Sequence, residues 1–557
     1  MLVARIVSSV LALAAAGLSA TYAADISGTW VAKTENSMMG EVEYVYELKV
    51  DASGKITGSQ RLPFGDSPIL DGKINGNEFE LTVQQEFFGN LSNVTVKGTI
   101  EGETLKITPP GPGGGGPGRG RGNGPGAGPG FPPDGPPPGG AGAPGPPPVG
   151  PGGRGRGGFA SGPLTFRRGT PTPSYRGPSV DYAALPKVEL PLRRTVSSNG
   201  LAKTPPMGWN SWNRFRTQIS DKTVREIADA MVSSGMKAAG YEYVNIDDGW
   251  QWKRDGEGNI VPNPNFPDMK ALAYYVHSKG LKLGIYSSPG PRTCGGYEGS
   301  YGHDEQDAKT YAQWGIDYLK YDWCSASRIW KDEDMPAAYQ KMGEAIRAAG
   351  RPIVYSLCQY GRFKVQEWGP IVSGNLWRTT GDIRDAWESM ANIGFSQSDL
   401  SASASPGHWN DPDMLEIGNG RMSATEYSTH FSLWAMLSAP LIAGNDIRSM
   451  TPEIRDILMN REVIAIDQDK LGKAARRVSK DGDTEIWVRP LSGDAYAVGL
   501  FNRGTADAHI AVKWDALEIP GNPRVRDLWS HKDLGRKPYG FDAAVAPHGV
   551  VLIRVSN

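Results

Sequence analysis

The sequence predicts a multidomain protein: a (β/α)8 barrel followed by an antiparallel β-sandwich, and before them a small all-β, barrel-like module and a disordered Gly/Pro tract. Three observations carry this. The chain has 557 residues, too many for one ordinary domain and enough for two or three. From about residue 200 strand patterns alternate with helix patterns, the mark of βα units and a parallel sheet. On either side of that region the pattern changes to short strands separated by turn signals.

Residues 1–24 read as an export signal, with Arg5 in a thin positive n-region, the apolar run "IVSSVLALAAAGL", and a small-residue cleavage site near Ala23 or Ala24. The run is short for a membrane span, and no later segment is long and apolar enough for one. The expectation is an exported protein, periplasmic or extracellular. Lys plus Arg (59) nearly balance Asp plus Glu (60), so nothing suggests a nucleic-acid partner. The sequence leaves the oligomeric state open.

Residues 25–108 form the small antiparallel module. "YVYELKVDASGKITGSQRL" is two strands around Asp51–Gly54, and "SPILDGKINGNEFELTVQQEF" repeats the device around Asn75-Gly76-Asn77. Residues 109–163 are almost entirely Gly and Pro with a few Arg; they lack side chains for a core and show no strict Gly-X-Y period. "PLTFRR" then reads as a strand without a neighbour, and pairing of 163–168 with "ETLKIT" would complete the module and make the tract an insertion.

The (β/α)8 barrel is placed at 196–470. "MGWNSW" (207–212), "EYVNID", "LKLGIYS", "DYLKYDW", "PIVYSLC", "NLWRTT", "GHWNDPDML" and "APLIAGND" are its eight strands, about the length expected of such a barrel. The helix at 221–235 shows Val224, Ile227, Ala228 and Met231 on one stripe behind a Ser220 or Asp221 cap. "TEIWVRPL", "AYAVGLFN", "HIAVKW", "RVRDLW" and "VVLIRVS" make the closing β-domain, 475–557.

Active sites of such barrels lie at the C-terminal ends of the strands. Those ends carry Trp212, Asp247 and Asp248, Tyr286, Lys320 and Asp322, Gln359, Arg378 with Asp382 beyond, and Asp411 with Asp413. Lys320 and Asp322 are two apart in a strand, so they share a face, and burying both charges is costly unless they are paired or used. One charged strand end is most often a structural ion pair; six in register favour a site. The seven histidines have no metal-ligand spacing, and there is no nucleophile elbow or P-loop. Neither a metal nor a cofactor is expected. Carboxylates among aromatics suit glycoside hydrolysis.

The segments "TPPMGWNSWN", "NIDDGWQ", "YLKYDWC", "YSLC", "WRTTGDI" and "WNDPDML" closely resemble the α-galactosidases of glycoside hydrolase family 27, from about residue 196 to the C-terminus. The resemblance implies a retaining exo-glycosidase that removes terminal α-D-galactosyl residues from oligo- or polysaccharides by double displacement. It implies Asp322 as nucleophile and Asp382 as acid/base. Asp247 and Asp248 would hold the 4- and 6-hydroxyls, Lys320 and Arg378 other ring hydroxyls, and Asp413 a further sugar contact. Trp212 and Tyr286 would be aromatic walls, Lys320 would keep Asp322 ionised, and Cys294 and Cys324 would be bridged, leaving Cys358 a buried thiol. Gln359 stands where the family often has Glu, beside the C2 substituent. Sister specificities on the same fold (α-N-acetylgalactosaminidase, β-L-arabinopyranosidase) are the alternative, and a non-catalytic sugar-binding barrel a weaker one. The residues 25–195 fall outside the resemblance.

Overall fold

A computed structural model describes residues 25–36, 40–62, 65–87, 90–108, 163–172, 174–178 and 180–557. The expected signal segment and nearly all of the Gly/Pro tract lie outside the described residues. The chain divides into two compact units; one ends at Pro171, and the other runs from Thr172 to Asn557 and also takes Leu62–Asp66 and Gln85–Ser92.

The first unit is a closed barrel of eight strands in chain order, from Gly28–Asn36 to Leu164–Arg168. The last strand pairs antiparallel with Thr104–Thr108, Leu105 opposite Phe166, and with the first strand, Trp30 opposite Arg168. Tyr44, Tyr46 and Leu48 alternate along their strand and are buried, as are Trp30, Leu81, Leu105 and Phe166, and the Tyr46 and Phe166 rings meet edge to face with centroids 5.2 Å apart. Two buried polar tips find partners, Trp30 Nε1 donating to the Ile26 carbonyl at 2.8 Å and Tyr46 Oη to Gln60 Oε1 at 3.0 Å, whereas Tyr44 Oη has none among the described residues. Gly98 leaves room for a ring, since a Cβ there would lie 2.2 Å from Phe79 Cζ.

The second unit opens with eight parallel strands: Met207–Asn210, Tyr243–Asn245, Lys282–Ser287, Tyr318–Asp322, Val354–Cys358, Leu376–Arg378, Trp409–Asp411 and Leu441–Ala443. Each pairs with the next up to the seventh, the eighth pairs with the first, and a single bridge from Leu415 to Ala443 joins the seventh to the eighth. These strands are buried along almost their whole length, as a sheet covered by helices requires.

Helix Asp221–Ser233 buries Val224, Ile227, Ala228 and Met231, and Ser220 caps it by accepting from the Thr223 N–H. One expectation is corrected. The first strand stops at Asn210, because Ser211 turns the chain and Trp212–Phe215 forms one helical turn; Trp212 therefore stands above the strand end. After Asp248, Gln251–Arg254 and Ile260–Pro262 form a small ladder around a turn in which Asp255 Oδ1 accepts from the Glu257 and Asn259 N–H groups, both at 2.9 Å.

The closing domain is a six-stranded antiparallel sheet with a two-stranded partner ladder. Strands Arg476–Asp481 and Lys532–Arg536 escape the sequence reading because they are largely polar and exposed, and Gly540–Val545 (GFDAAV) because it is short and shows no regular apolar alternation. Among the described residues no helix is long and apolar enough to cross a membrane.

Candidate active site

The strand register places the charged residues at one end of the barrel. Tyr286 lies opposite Lys320, Asp322 opposite Cys358, and Arg378 opposite Asp411. Asp322 is buried; its Oδ2 accepts from Tyr286 Oη at 3.1 Å, and Tyr360 donates to the same carboxylate. Its Oδ1 is buried with no hydrogen-bond partner among the described residues. Burial raises the Asp322 pKa to about 6, although Lys320 and Tyr360 pull it down; Asp382 and Asp247 act on it in the raising direction.

Lys320 acts on two carboxylates at this rim, Asp247 and Asp322. Its Nζ is bonded to Asp247 Oδ2 at 2.8 Å, so its main partner is a carboxylate on the neighbouring loop rather than Asp322. Burial works against its charge, but Asp247 first, then Cys358 and Asp322, hold its pKa well above the ordinary lysine value. Its pull on Asp322 is real, but burial outweighs it.

Asp247 is fully engaged. Oδ2 also accepts from Asn210 Nδ2 at 2.8 Å, and Oδ1 accepts the Asp248 N–H at 2.9 Å. Asp248 Oδ2 accepts the Gly295 N–H at 2.5 Å, while its Oδ1 is buried without a partner among the described residues. Burial raises the Asp248 pKa to about 7; Thr293 and Gly295 oppose this, and Asp247 and Asp322 add to it.

Arg378 Nη2 bonds Asp413 at 3.0 Å, Asp382 at 3.1 Å and the Thr380 carbonyl at 3.1 Å, while its Nε is buried and unpartnered among the described residues. Asp413 adopts φ +88°, with its side chain accepting the Ile383 and Met414 N–H groups at 2.8 Å. That link ties the seventh strand end to the loop of Asp382. Asp382 itself is 45% exposed. Gln359 is buried; its Nε2 donates to the Arg378 carbonyl at 3.1 Å, and its Oε1 has no partner among the described residues.

Cys294 and Cys324 are bridged with their Cα atoms 4.9 Å apart, and Cys358 is a buried free thiol. Both sulfurs lie within 4.8 Å of an Asp322 carboxylate oxygen, and the residue after Cys294 donates to Asp248. The bridge thus joins the loops of two site carboxylates. It closes a 30-residue separation, for which chain entropy gives about 3–4 kcal/mol. Reduction is therefore expected to lower Tm by several degrees and to cut activity; unchanged Tm and turnover after verified reduction would contradict that coupling.

Two groups at this mouth escape the sequence reading. Tyr360 stands beside Gln359, and its position after the fifth strand is the signal that could have found it. Arg216 follows the one-turn helix, with its guanidinium 5.2 Å over the Trp212 ring and its Nε buried and unpartnered among the described residues. Burial lowers its pKa, and Glu416, Asp382, Asp247 and Asp413 oppose this, so it stands among site carboxylates. No local pattern marks it.

The family model described as Alpha galactosidase A matches residues 204–469, and that of the Alpha galactosidase C-terminal beta sandwich domain matches residues 481–555. An α-galactosidase of Cyamopsis tetragonoloba is 50% identical over 346 residues, covering 61% of this chain and 83% of that one. The chain belongs to the α-galactosidase family. Among solved structures, the family's Saccharomyces cerevisiae enzyme, determined with raffinose, is 28% identical with a TM-score of 0.60, covering 65% of this chain and 99% of that one. A candidate α-galactosidase of Bacteroides fragilis, 29% identical with a TM-score of 0.62, covers 95% of both chains, so that likeness reaches well beyond the two matched family models.

Proposed function

We propose that the protein is an exported, retaining α-galactosidase that removes terminal α-D-galactosyl residues from oligo- or polysaccharides. The observation that carries this is a set of polar atoms at one end of the barrel that are buried with no partner among the described residues: Asp248 Oδ1, Asp322 Oδ1, Gln359 Oε1 and Arg378 Nε. Buried polar atoms are almost always bonded, and a ring bearing several hydroxyls would satisfy donors and acceptors from four strand ends together. The raffinose bound to the yeast relative is such a galactoside.

In this reading Asp322 Oδ1 attacks C1, the glycosidic C–O bond breaks, and Asp382 gives its proton to the leaving oxygen. Asp382 then takes a proton from water, which attacks C1 and breaks the ester to Asp322. Two inversions return α-galactose. Polarimetry or NMR of the first-formed product tests this, and first-formed β-galactose would sink it.

p-Nitrophenyl-α-galactoside is the expected substrate, ahead of the N-acetylgalactosaminyl and β-L-arabinopyranosyl analogues; faster hydrolysis of either analogue would replace the specificity. Export is supported by the leading segment, and a mature N-terminus at residue 24 or 25 in secreted protein tests it.

The pH dependence follows from Asp322. A nucleophile must be ionised, and burial holds this carboxyl at about 6. The acid limb of kcat/KM is expected near pH 6, falling about tenfold per unit below it. Tyr360→Phe removes a donor to the charged form and moves the limb upward. A limb near pH 4, or a downward shift in the variant, would contradict the assignment.

A further inference from the structure

The family model begins at residue 204, yet an irregular stretch before it, 174–178 and 180–187, lies against the loops after barrel strands two, three and four. Tyr175 meets Trp252 edge to face with ring centroids 5.9 Å apart. The Gly177 N–H donates to the Gly296 carbonyl at 3.2 Å, Arg292 Nη2 donates to the Pro178 carbonyl at 3.2 Å, and Tyr301 Oη donates to the Pro186 carbonyl at 2.9 Å. Arg176 is hydrogen-bonded to Tyr297, and Tyr182 to Ser325, with the Arg328 guanidinium 5.3 Å over the Tyr182 ring. The approach is close at Gly177, where a Cβ would fall 2.2 Å from Arg292 Cζ.

Four of these partners, Arg292, Gly296, Tyr297 and Tyr301, belong to the loop that presents the Gly295 N–H to Asp248. The same loop is latched to the one after Asp322: Ser325 Oγ donates to the Arg292 carbonyl at 2.7 Å, Ser288 Oγ donates to the Cys324 carbonyl at 2.7 Å, and the disulfide lies between them. The loop holds its own shape through bonds such as Thr293 N–H to the Tyr297 carbonyl at 2.9 Å and Gly299 N–H to the Pro291 carbonyl at 3.1 Å, and the irregular stretch adds bonds that fix where that loop lies over the barrel mouth.

We propose that residues 174–178 and 180–187 form a strap that sets the affinity for the terminal sugar by holding the Arg292–Tyr301 loop, and with it Asp248, in place. Gly177, Arg176 and Tyr182 are positioning residues, acting through Gly295 and Asp248. This rests on the reading that Asp248 binds a galactose hydroxyl. The strap's action is then on binding: KM and the inhibition constant of free galactose respond, while kcat, which depends on Asp322 and Asp382, responds little.

The test uses the full-length protein with Gly177→Val, which drives a side chain into the Arg292 guanidinium, and Tyr301→Phe, which removes only the bond to Pro186. Galactose inhibition, KM and kcat for p-nitrophenyl-α-galactoside are measured together with Tm. The expected result is a weakening of galactose inhibition, with a matching rise in KM, of about tenfold for Gly177→Val and about threefold for Tyr301→Phe, the range of one or two lost hydrogen bonds, with kcat within about twofold. The inhibition constant does not depend on how much enzyme is folded, so a merely structural role would lower Tm or apparent kcat and leave it unmoved; that outcome overturns the strap. Should Gly177→Val fail to fold, Tyr301→Phe decides alone. Absence of galactose inhibition in the unaltered protein would overturn the reading of the site, and the strap with it, whereas unchanged constants in the variants overturn the strap only.

Discussion

Asp322→Asn is expected to lower kcat by about 10⁴-fold or more while leaving Tm unchanged or slightly raised. The amide has the carboxylate's shape but cannot form the glycosyl ester, so the first displacement has no nucleophile. The fold tolerates the change because burial already raises this pKa to about 6, so the native environment disfavours the charge that Asn removes. Tyr286 Oη can still donate to the amide oxygen, which occupies the place of Oδ2. Added azide should restore turnover by entering from the face that Asp322 occupied, and the product should be β-galactosyl azide. Ordinary turnover in the variant, with contamination excluded by active-site titration, would end the assignment.

Asp382→Ala should show the second largest loss, and its size should depend on the leaving group. A general acid contributes about 10²–10⁴-fold, chiefly where the departing oxygen is a poor leaving group. Hydrolysis of raffinose is therefore expected to fall by about 10³-fold, and hydrolysis of a dinitrophenyl galactoside far less, because that phenolate leaves without a proton. Azide in this variant attacks the intermediate from the opposite face, so the product should be α-galactosyl azide, the other anomer from that of the Asp322 variant. The fold should survive: Asp382 is 45% exposed, and Arg378 keeps Asp413 at 3.0 Å after losing this partner. Equal losses on both substrates would argue that Asp382 serves binding rather than proton transfer. The β-azide from this variant would reverse the two roles.

Much of this molecule could be read before any coordinates. The barrel follows from eight repeats of an apolar run and an amphipathic helix, and the stripe Val224, Ile227, Ala228, Met231 is buried as its spacing requires. The site was legible because strand periodicity is local: positions two apart share a face, so Lys320 and Asp322 had to point together, and the residues that follow each strand had to gather at one rim. The limits were equally local. Trp212 reads as a strand end because a one-turn helix is too short to show a period. The polar strands of the closing domain carry too little apolar alternation to be seen.

What the sequence determined by itself was therefore the order of the elements, the end of the barrel that bears the carboxylates, and which residue types meet there. Only the tertiary structure decided how they divide the work of pairing. Lys320 bonds Asp247, on a separate strand's loop, because partner choice depends on distances across the barrel that no spacing along the chain encodes. The raised pKa values of Asp322 and Asp248 come first from burial, which is a property of everything packed around a group. Arg216 and the stretch from Tyr175 to Pro186 carry no periodic signal at all: an irregular backbone is held by partners remote in sequence, here the loops that carry Gly296, Tyr301 and Ser325, and those partners exist only once the barrel has brought its strand ends together.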